Sequence, residues 1–335
     1  MKPNIFEISP KELTQDGFIT WLLRWADPSN KEYNEELNKC AVDFINDVLM
    51  KQYKEKIEIT KVVAKRQREK IDIWADINEK YLIIIEDKTF TSASSGQLEE
   101  YKKRAGDWYK EDKRELICVY LKTGTETKKS LQDNEEKGFV IVGRSDLISF
   151  FSKYNIDDID NDIFEDFVSK IVKLEKAEKA FETEAIGKWD ENCWIGFYNY
   201  LESIFNESHW EYVPNRSGGF LGFFWCFYNW KGYEVKLQIE QGKLCQGKLC
   251  FKIGSVKKEN RKQVTNEWYN IVNQKSLEKG KKEIKRPKRF GSGFYITVAI
   301  VEREDWLGND NEIINKDKVI DKLKEYEHFL DYCLE

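Results

Sequence analysis

Histidine is scarce in this chain, and cysteine pairs with metal-ligand spacing are absent. The only histidines among the 335 residues are His209 and His328, so a zinc site or a histidine-based nucleophilic dyad has little material. The seven cysteines form an odd set, lie mostly among apolar neighbours and include no Cys-x-x-Cys pair. This pattern is typical of cysteines that stay reduced, and we therefore expect a cytoplasmic protein.

Long apolar runs and an excess of positive charge are also missing. No stretch of about 18 uncharged apolar residues occurs, and the opening MKPNIFEISPKEL lacks the apolar core of a secretory signal. We therefore expect a soluble protein with no membrane partner. The net charge of -5 argues against a general basic coat, so any surface that binds nucleic acid must be local.

Apolar and aromatic residues are plentiful enough for a large core. The chain is 41% hydrophobic and 14% aromatic, and it contains 11 Trp. Single cores stop growing at about 250 to 300 residues, so a chain of 335 residues predicts two domains. A helical pattern breaks near residues 180–188, in the stretch ETEAIGK. We place the domains at residues 1–183 and 184–335.

The most informative stretch runs from residue 68 to 101. It predicts two short strands joined by a tight polar turn at residues 78–80, then a Ser/Gly-rich loop and a helix. Asp72 lies in the first strand, while Glu86 and Lys88 end the second after an apolar run. Because side chains alternate along a strand, Glu86 and Lys88 share one face and Asp87 points to the other.

Charges at the end of an apolar strand need partners, because buried charged groups must be paired or bound to metal. Two carboxylates on neighbouring strands make a hard oxygen site that suits Mg²⁺ or Mn²⁺. A lysine two residues further on can stabilise an attacking hydroxide or a phosphoryl oxygen. Two carboxylates that hold a metal ion, together with a lysine, are suited to phosphodiester hydrolysis. The alternative is an ordinary edge hairpin whose charges are solvated.

The pattern of Asp72, a hairpin and then Glu86-x-Lys88 resembles the PD-(D/E)xK nuclease superfamily. Gln97 and Tyr101, four residues apart on one helix face, resemble the Gln-x-x-x-Tyr element of its RecB-like branch. The chain departs from the pattern in one respect, since no proline precedes Asp72. The resemblance implies a metal-dependent DNA nuclease of α/β fold. Its core would be restriction-endonuclease-like, a central mixed sheet flanked by helices, followed here by an α+β domain.

The same resemblance implies a set of ligands for Mg²⁺ or Mn²⁺. Asp72 and Glu86 would hold the ion, helped by the main-chain carbonyl of Asp87. The helix before the core sheet often lends an acid in this family, and Asp16 and Glu12 are the candidates here. The alternative for these two residues is a helix-cap residue and a solvated aspartate.

The remaining catalytic roles are also taken from the resemblance. Lys88 would orient the attacking water or stabilise the phosphorane-like oxygens, and Gln97 and Tyr101 would position substrate or metal-bound water. The family's setting implies a role in restriction or antiphage defence.

Local patterns predict the elements around this hairpin. Ser9, Pro10 and Glu12 predict a capping box that opens a helix running to about Trp25, with Glu12 and Asp16 on its more polar side. Residues 57–66 predict the first strand of the sheet, and residues 116–121 a strand after the Gln97 helix.

The second half predicts an α+β module with one local concentration of basic charge. Residues 275–289, KSLEKGKKEIKRPKR, hold eight basic residues against two acids. Such a segment can neutralise backbone phosphates, and the alternative is a solvated helix end and loop. The candidate contacts are Lys281, Lys282, Lys285, Arg286, Lys288 and Arg289.

Three functional alternatives stay open at this point. A module that keeps the nuclease scaffold without catalysis would bind DNA or a protein through residues 190–335. RNA is a second candidate substrate, because the core motif does not read the sugar. A homodimer or a partner protein is a further candidate requirement for activity.

Overall fold

The computed structural model describes residues 2–9, 11–109, 111–215, 218–243 and 246–335. It divides into two compact units, Met1–Lys176 and Ala177–Glu335. The division falls inside one helix, seven residues before the join placed at 183 and 184 from the sequence. No helix of the described residues has the length and apolar character needed to cross a membrane.

The first unit is a mixed five-stranded sheet with helices on both faces. The sheet order is β1-β2-β3-β4-β5; β1, β2 and β3 pair antiparallel, and β3, β4 and β5 pair parallel. This confirms the predicted α/β class. In chain order the elements are α1 (Ile5–Ile8), α2 (Glu12–Trp25), α3 (Glu35–Tyr53), β1 (Val62–Arg68), β2 (Ile71–Ile77), β3 (Tyr81–Lys88), α4 (Gln97–Gly106), β4 (Glu115–Lys122), α5 (Lys128–Glu136), β5 (Phe139–Gly143), α6 (Arg144–Phe151), α7 (Ile156–Ile159) and α8 (Asp162–Lys179).

Strand β3 is buried on both faces, and its side chains alternate between two cores. Ile83 and Ile85 pack in the core that contains α2 and α3, while Leu82 and Ile84 pack in the core under α4. The alternation continues past the apolar run. It directs Asp87 towards α2 and directs Glu86 and Lys88 towards α4.

The turn between β2 and β3 has the backbone that a two-residue hairpin needs. Asn78 and Glu79 have φ values of 56° and 53°, and the Lys80 N–H donates to the Ile77 carbonyl at 3.0 Å. Positive φ at both central residues is the mark of a type I′ turn, which matches the twist of the flanking strands. The predicted turn at residues 78–80 is therefore confirmed.

The predicted capping box is wrong. Helix α2 begins at Glu12, its N-cap is Lys11, and no side chain caps it. The Glu12 carboxylate accepts a hydrogen bond from the Thr89 N–H at 2.9 Å, so it does not reach back to its own helix. Ser9 instead bonds Thr14 through its hydroxyl, and Pro10 lies outside the described residues.

The first strand begins later than predicted, at Val62 rather than at residue 57. The reason is that side chains satisfy the preceding backbone. Asn46 of α3 bonds both the N–H and the carbonyl of Ile57, and Asn78 accepts from the N–H groups of Thr60 and Lys61. With these groups satisfied, the backbone before Val62 makes no ladder with β2.

The second unit is an antiparallel five-stranded sheet with helices packed on one face. The strand order is β10-β9-β8-β7-β6. Phe223, Leu237 and Phe251 point into the core shared with the helices, while the intervening residues face the other way. The elements are α9 (Glu191–Ile204), β6 (His209–Val213), β7 (Phe220–Trp230), β8 (Tyr233–Gln241), β9 (Lys248–Gly254), α10 (Arg261–Glu278), β10 (Tyr295–Val301), α11 (Arg303–Trp306) and α12 (Lys316–Leu334).

Candidate active site

Asp72, Glu86 and Lys88 come together where the β2–β3 hairpin opens. Ile73 of β2 pairs with Ile85 of β3, which brings the next residues, Asp72 and Glu86, side by side. The Asp87 N–H donates to Asp72 Oδ2 at 3.3 Å. The sheet register thus places one carboxylate from each strand on the α4 side.

The ammonium group of Lys88 lies among the oxygens predicted to bind metal. Its Nζ is 2.5 Å from Glu86 Oε1 and 3.8 Å from Asp72 Oδ2. It also donates to the main-chain carbonyl of Asp87 at 3.2 Å. The side chains of Glu86, Lys88 and Asp72 are 1%, 12% and 25% exposed, so this cation is held at the edge of solvent by three oxygen atoms.

Gln97 fixes Glu86 from the other side. Its Nε2 donates to Glu86 Oε1 at 2.6 Å and to the Tyr101 hydroxyl at 3.0 Å. Its Oε1 accepts from the N–H and the hydroxyl of Ser94 in the preceding loop. Because Ser94 occupies the amide oxygen, the amide nitrogen is directed at the carboxylate. Burial raises the pKa of Tyr101, which therefore stays protonated.

The electrostatics of the site favour a neutral Glu86 as long as no metal is bound. Burial, and then the charge of Asp72, raise the pKa of Glu86 to about 8, although Lys88 opposes the shift. Burial alone would lower the pKa of Lys88, but the hydrogen bond to Glu86 and the charges of Glu86 and Asp72 raise it. One lysine therefore cannot balance two carboxylates in this pocket.

Asp87 belongs to a separate polar cluster on the α2 side of the sheet. Its Oδ1 accepts from Gln15 Nε2 at 2.5 Å. The Gln15 oxygen accepts from Thr123 and from Lys170 of α8, each at 3.0 Å. Burial, and then the charge of Asp16, raise the pKa of Asp87 well above its usual value.

Asp16 is buried beside Asp87, which corrects the prediction that it lies on the polar side of its helix. It is 2% exposed, and its Oδ2 lies 3.8 Å from Arg66 Nη2. Burial, and then the charge of Asp72, raise its pKa to about 6. Glu12, the other candidate acid, is bound to the backbone of Thr89.

The sequence interpretation missed two groups that support the site. Gln15 carries no motif and no local pattern marks it. Lys122 could have been found, because it ends the apolar strand β4 as Lys88 ends β3. Lys122 pairs in the ladder with Lys88, donates to the Thr91 carbonyl at 2.6 Å and lies 3.3 Å from buried Glu126.

The donor set fits a divalent cation. Within the described residues, no group of three Asp, Glu, His or Cys side chains could hold a metal ion by itself. The candidate ligands are therefore the two carboxylates of Asp72 and Glu86 and the carbonyl of Asp87. All three already surround the Lys88 ammonium, and buried Glu86 Oε2 has no hydrogen-bond donor among the described residues. Such hard oxygens suit Mg²⁺ or Mn²⁺.

The basic segment of residues 275–289 divides into engaged and unengaged side chains. Lys281 lies 3.4 Å from Glu325, and Lys285 lies 3.9 Å from Asp305. The Arg286 guanidinium stacks over the ring of Phe290 at 4.7 Å. Lys282, Lys288 and Arg289 are exposed and form no ion pair within the described part of the chain.

Comparison with known proteins gives one family. No curated protein and no solved structure gives a significant match to the chain. A family model described as the PD-(D/E)XK nuclease superfamily matches residues 3–195, more than half of the sequence. The match includes the whole β2–β3 hairpin and the helix that carries Gln97. The chain therefore belongs to the PD-(D/E)XK nuclease superfamily.

Proposed function

We propose that this protein is a metal-dependent nuclease that hydrolyses DNA phosphodiester bonds. The single observation that carries the proposal is the position of the Lys88 ammonium, between Asp72, Glu86 and the Asp87 carbonyl. When both carboxylates are ionised, one lysine leaves the pocket with a net negative charge, which favours the binding of a further cation. Restriction or antiphage defence, the setting that the resemblance implies, is part of the proposal.

Each residue has a role that follows from its contacts. Asp72, Glu86 and the Asp87 carbonyl hold Mg²⁺, or Mn²⁺ in its place. When bound, the ion lowers the pKa of a water molecule and neutralises charge on the phosphate. Lys88 then exchanges its contacts with the carboxylates for the attacking water or a phosphate oxygen.

The α4 residues Gln97 and Tyr101 position the reacting groups and carry no charge themselves. Gln97 keeps Glu86 Oε1 in place through the 2.6 Å hydrogen bond, and Ser94 fixes the orientation of that amide. The Tyr101 hydroxyl accepts from the same amide and can donate its own proton towards substrate or water. We assign both residues to the orientation of the reacting groups.

The second unit is assigned an accessory role in binding. Lys281, Lys282, Lys285, Arg286, Lys288 and Arg289 are the proposed contacts to DNA. The three that form neither an ion pair nor a ring contact within the described residues, Lys282, Lys288 and Arg289, are expected to contribute most. A homodimer or a partner protein is part of this proposal only as an additional source of binding surface.

Cleavage assays on the purified full-length chain test the proposed function. Linear, circular and single-stranded DNA, and single-stranded RNA, are incubated with Mg²⁺, Mn²⁺ or EDTA, and the double variant D72N/E86Q serves as the matched control. We expect DNA cleavage with either metal, none with EDTA and none by the variant. Cleavage of circular DNA identifies an endonuclease.

Three results would contradict the proposal. Cleavage of RNA alone would replace the substrate, and binding of DNA without any cleavage would favour the catalytically inactive binding module. Equal cleavage by D72N/E86Q would show that a contaminant or a different site is responsible.

A further inference from the structure

A small cleft lies on the surface of the first unit, between α2 and β1. It has a volume of about 230 Å³ and is lined by Gly17, Thr20, Trp21, Arg24 and Arg66. Four of these residues belong to α2, and Arg66 comes from the edge strand β1. Two arginines therefore face one cleft from two different elements.

Each of the two arginines is held in place by a contact that involves only some of its guanidinium nitrogens. Arg24 donates from Nε to the Ala64 carbonyl at 2.8 Å, which leaves its terminal nitrogens without a partner among the described residues. Arg66 Nη2 lies 3.8 Å from Asp16 Oδ2. Arg66 Nη1 lies against α2, 3.7 Å from where a Cβ at Gly17 would stand, which is an ordinary van der Waals distance.

The cleft lies on the α2 side of the sheet, and its Arg66 is on the strand next to the one that carries Asp72. Arg66 pairs with Ile73 in the β1–β2 ladder, so it is next to the residue opposite Asp72. Arg66 lies within ion-pair distance of Asp16, and the charge of Asp72 contributes to the raised pKa of Asp16.

The chemistry of the lining favours a phosphate group. Guanidinium groups with free N–H donors form bidentate hydrogen bonds to phosphate oxygens. Thr20 is 5% exposed, and its hydroxyl has no hydrogen-bond partner within the described residues. Asp16 is the only acid found to pair with either arginine in the described chain, and it is buried.

We propose that Arg24 and Arg66 form a subsite for a backbone phosphate of DNA. This deepens the proposed function and rests on it for the identity of the strand. The subsite sets the position of the strand rather than its sequence, because phosphate contacts are the same for every base.

Salt-dependent binding tests the subsite without requiring cleavage. Full-length D72N/E86Q protein in EDTA is titrated with labelled DNA between about 50 and 200 mM salt, a range over which phosphate contacts dominate affinity. Adding R24Q and R66Q should reduce the slope of log K against log salt by about 0.7 to 0.9, the change expected when one phosphate contact is lost. Affinity at the lower salt concentration should fall about tenfold or more.

Matched variants separate charge in the cleft from charge elsewhere. K31Q and K39Q remove two exposed lysines of the same unit that lie in surface ion pairs, and they should leave the slope unchanged. R24K and R66K restore the charge and should restore most of the slope. Circular dichroism checks that every variant is folded. An R24Q/R66Q slope equal to that of K31Q/K39Q, in folded protein, would overturn the subsite.

Failure of the subsite and failure of the nuclease function give different results. If the wild-type chain cuts DNA and R24Q/R66Q binds and cuts equally well, only the subsite is wrong. If the wild-type chain does not cut but the arginine variants lose salt-dependent binding, the subsite stands without catalysis. A loss of slope with single-stranded RNA but not with DNA would overturn the assignment of the strand.

Discussion

Both units of the molecule bury lysines on a sheet beside carboxylates, but they balance the charges differently. In the second unit Lys252 contacts Glu240 and donates to the Thr297 hydroxyl at 2.7 Å. Lys236 lies 3.5 Å from Glu234, and its ammonium is 3.5 Å from the centre of the Tyr295 ring. Each carboxylate there is paired with a lysine of its own.

In the first unit two carboxylates share one lysine. Asp72 and Glu86 both lie within ion-pair distance of Lys88, and Glu86 Oε2 has no donor within the described residues. The pKa of Glu86 is raised to about 8 by burial and by Asp72. A buried lysine with a carboxylate of its own therefore does not mark a candidate site, whereas two carboxylates that share one lysine do.

The largest expected difference between the two clusters is in catalysis. D72N or E86Q should lower the rate of DNA cleavage by at least about 10³-fold, because each removes an anionic ligand that no other residue replaces. E240Q, the matched loss of one carboxylate in the second unit, should change the rate by less than about twofold. Initial rates in Mg²⁺ measure both. Equal losses in E86Q and E240Q would contradict the comparison.

A second prediction separates the role of Lys88 from that of its carboxylates. K88A should lower cleavage by about 10² to 10³-fold, yet bind Mn²⁺ about three- to tenfold more tightly, since the competing ammonium is gone. D72N and E86Q should lose both properties. Mn²⁺ binding is measured by calorimetry. If K88A lost Mn²⁺ binding as well, Lys88 would be a support for the carboxylates rather than a competitor of the ion.

The sequence was sufficient for the β2–β3 hairpin and for which of its charged residues share a face of the sheet. The apolar run of β3 ends in Glu86 and Lys88, and a period of two assigns them to one face and Asp87 to the other. Local turn chemistry at Asn78 and Glu79 fixed the hairpin register. These features are predictable because they depend on neighbours in the chain.

What the sequence could not supply are contacts made across the chain. Gln15 meets Asp87 over 72 residues and Lys170 over 155, and no periodicity marks a glutamine as their common partner. The hydrogen bond from the Thr89 N–H to Glu12, which engages Glu12 away from the predicted capping box, is another contact between residues far apart in the chain. Likewise, a run of basic residues does not reveal that Lys281 has an acidic neighbour on α12.

The smallest expected difference concerns stability against pH. In the metal-free protein Glu86 keeps its proton to about pH 8, whereas in the unfolded chain its pKa is near 4.5. The native state therefore binds more protons between these values, so the free energy of unfolding falls as pH rises through this window. E86Q cannot ionise and should be more stable than the wild type above pH 8, by about 1 to 3 kcal/mol, with little difference at pH 5.

The second unit should respond with the opposite sign. E240Q removes the carboxylate that contacts buried Lys252, and losing one member of a buried pair costs about 1 to 3 kcal/mol. Urea unfolding of EDTA-treated protein at pH 5, 7 and 9, followed by circular dichroism, measures both variants. A gain in E86Q that is equal at pH 5 and pH 9 would mean that packing, rather than the excess carboxylate charge, destabilises the site. Parallel curves for wild type and E86Q would thus remove the physical distinction between the two clusters.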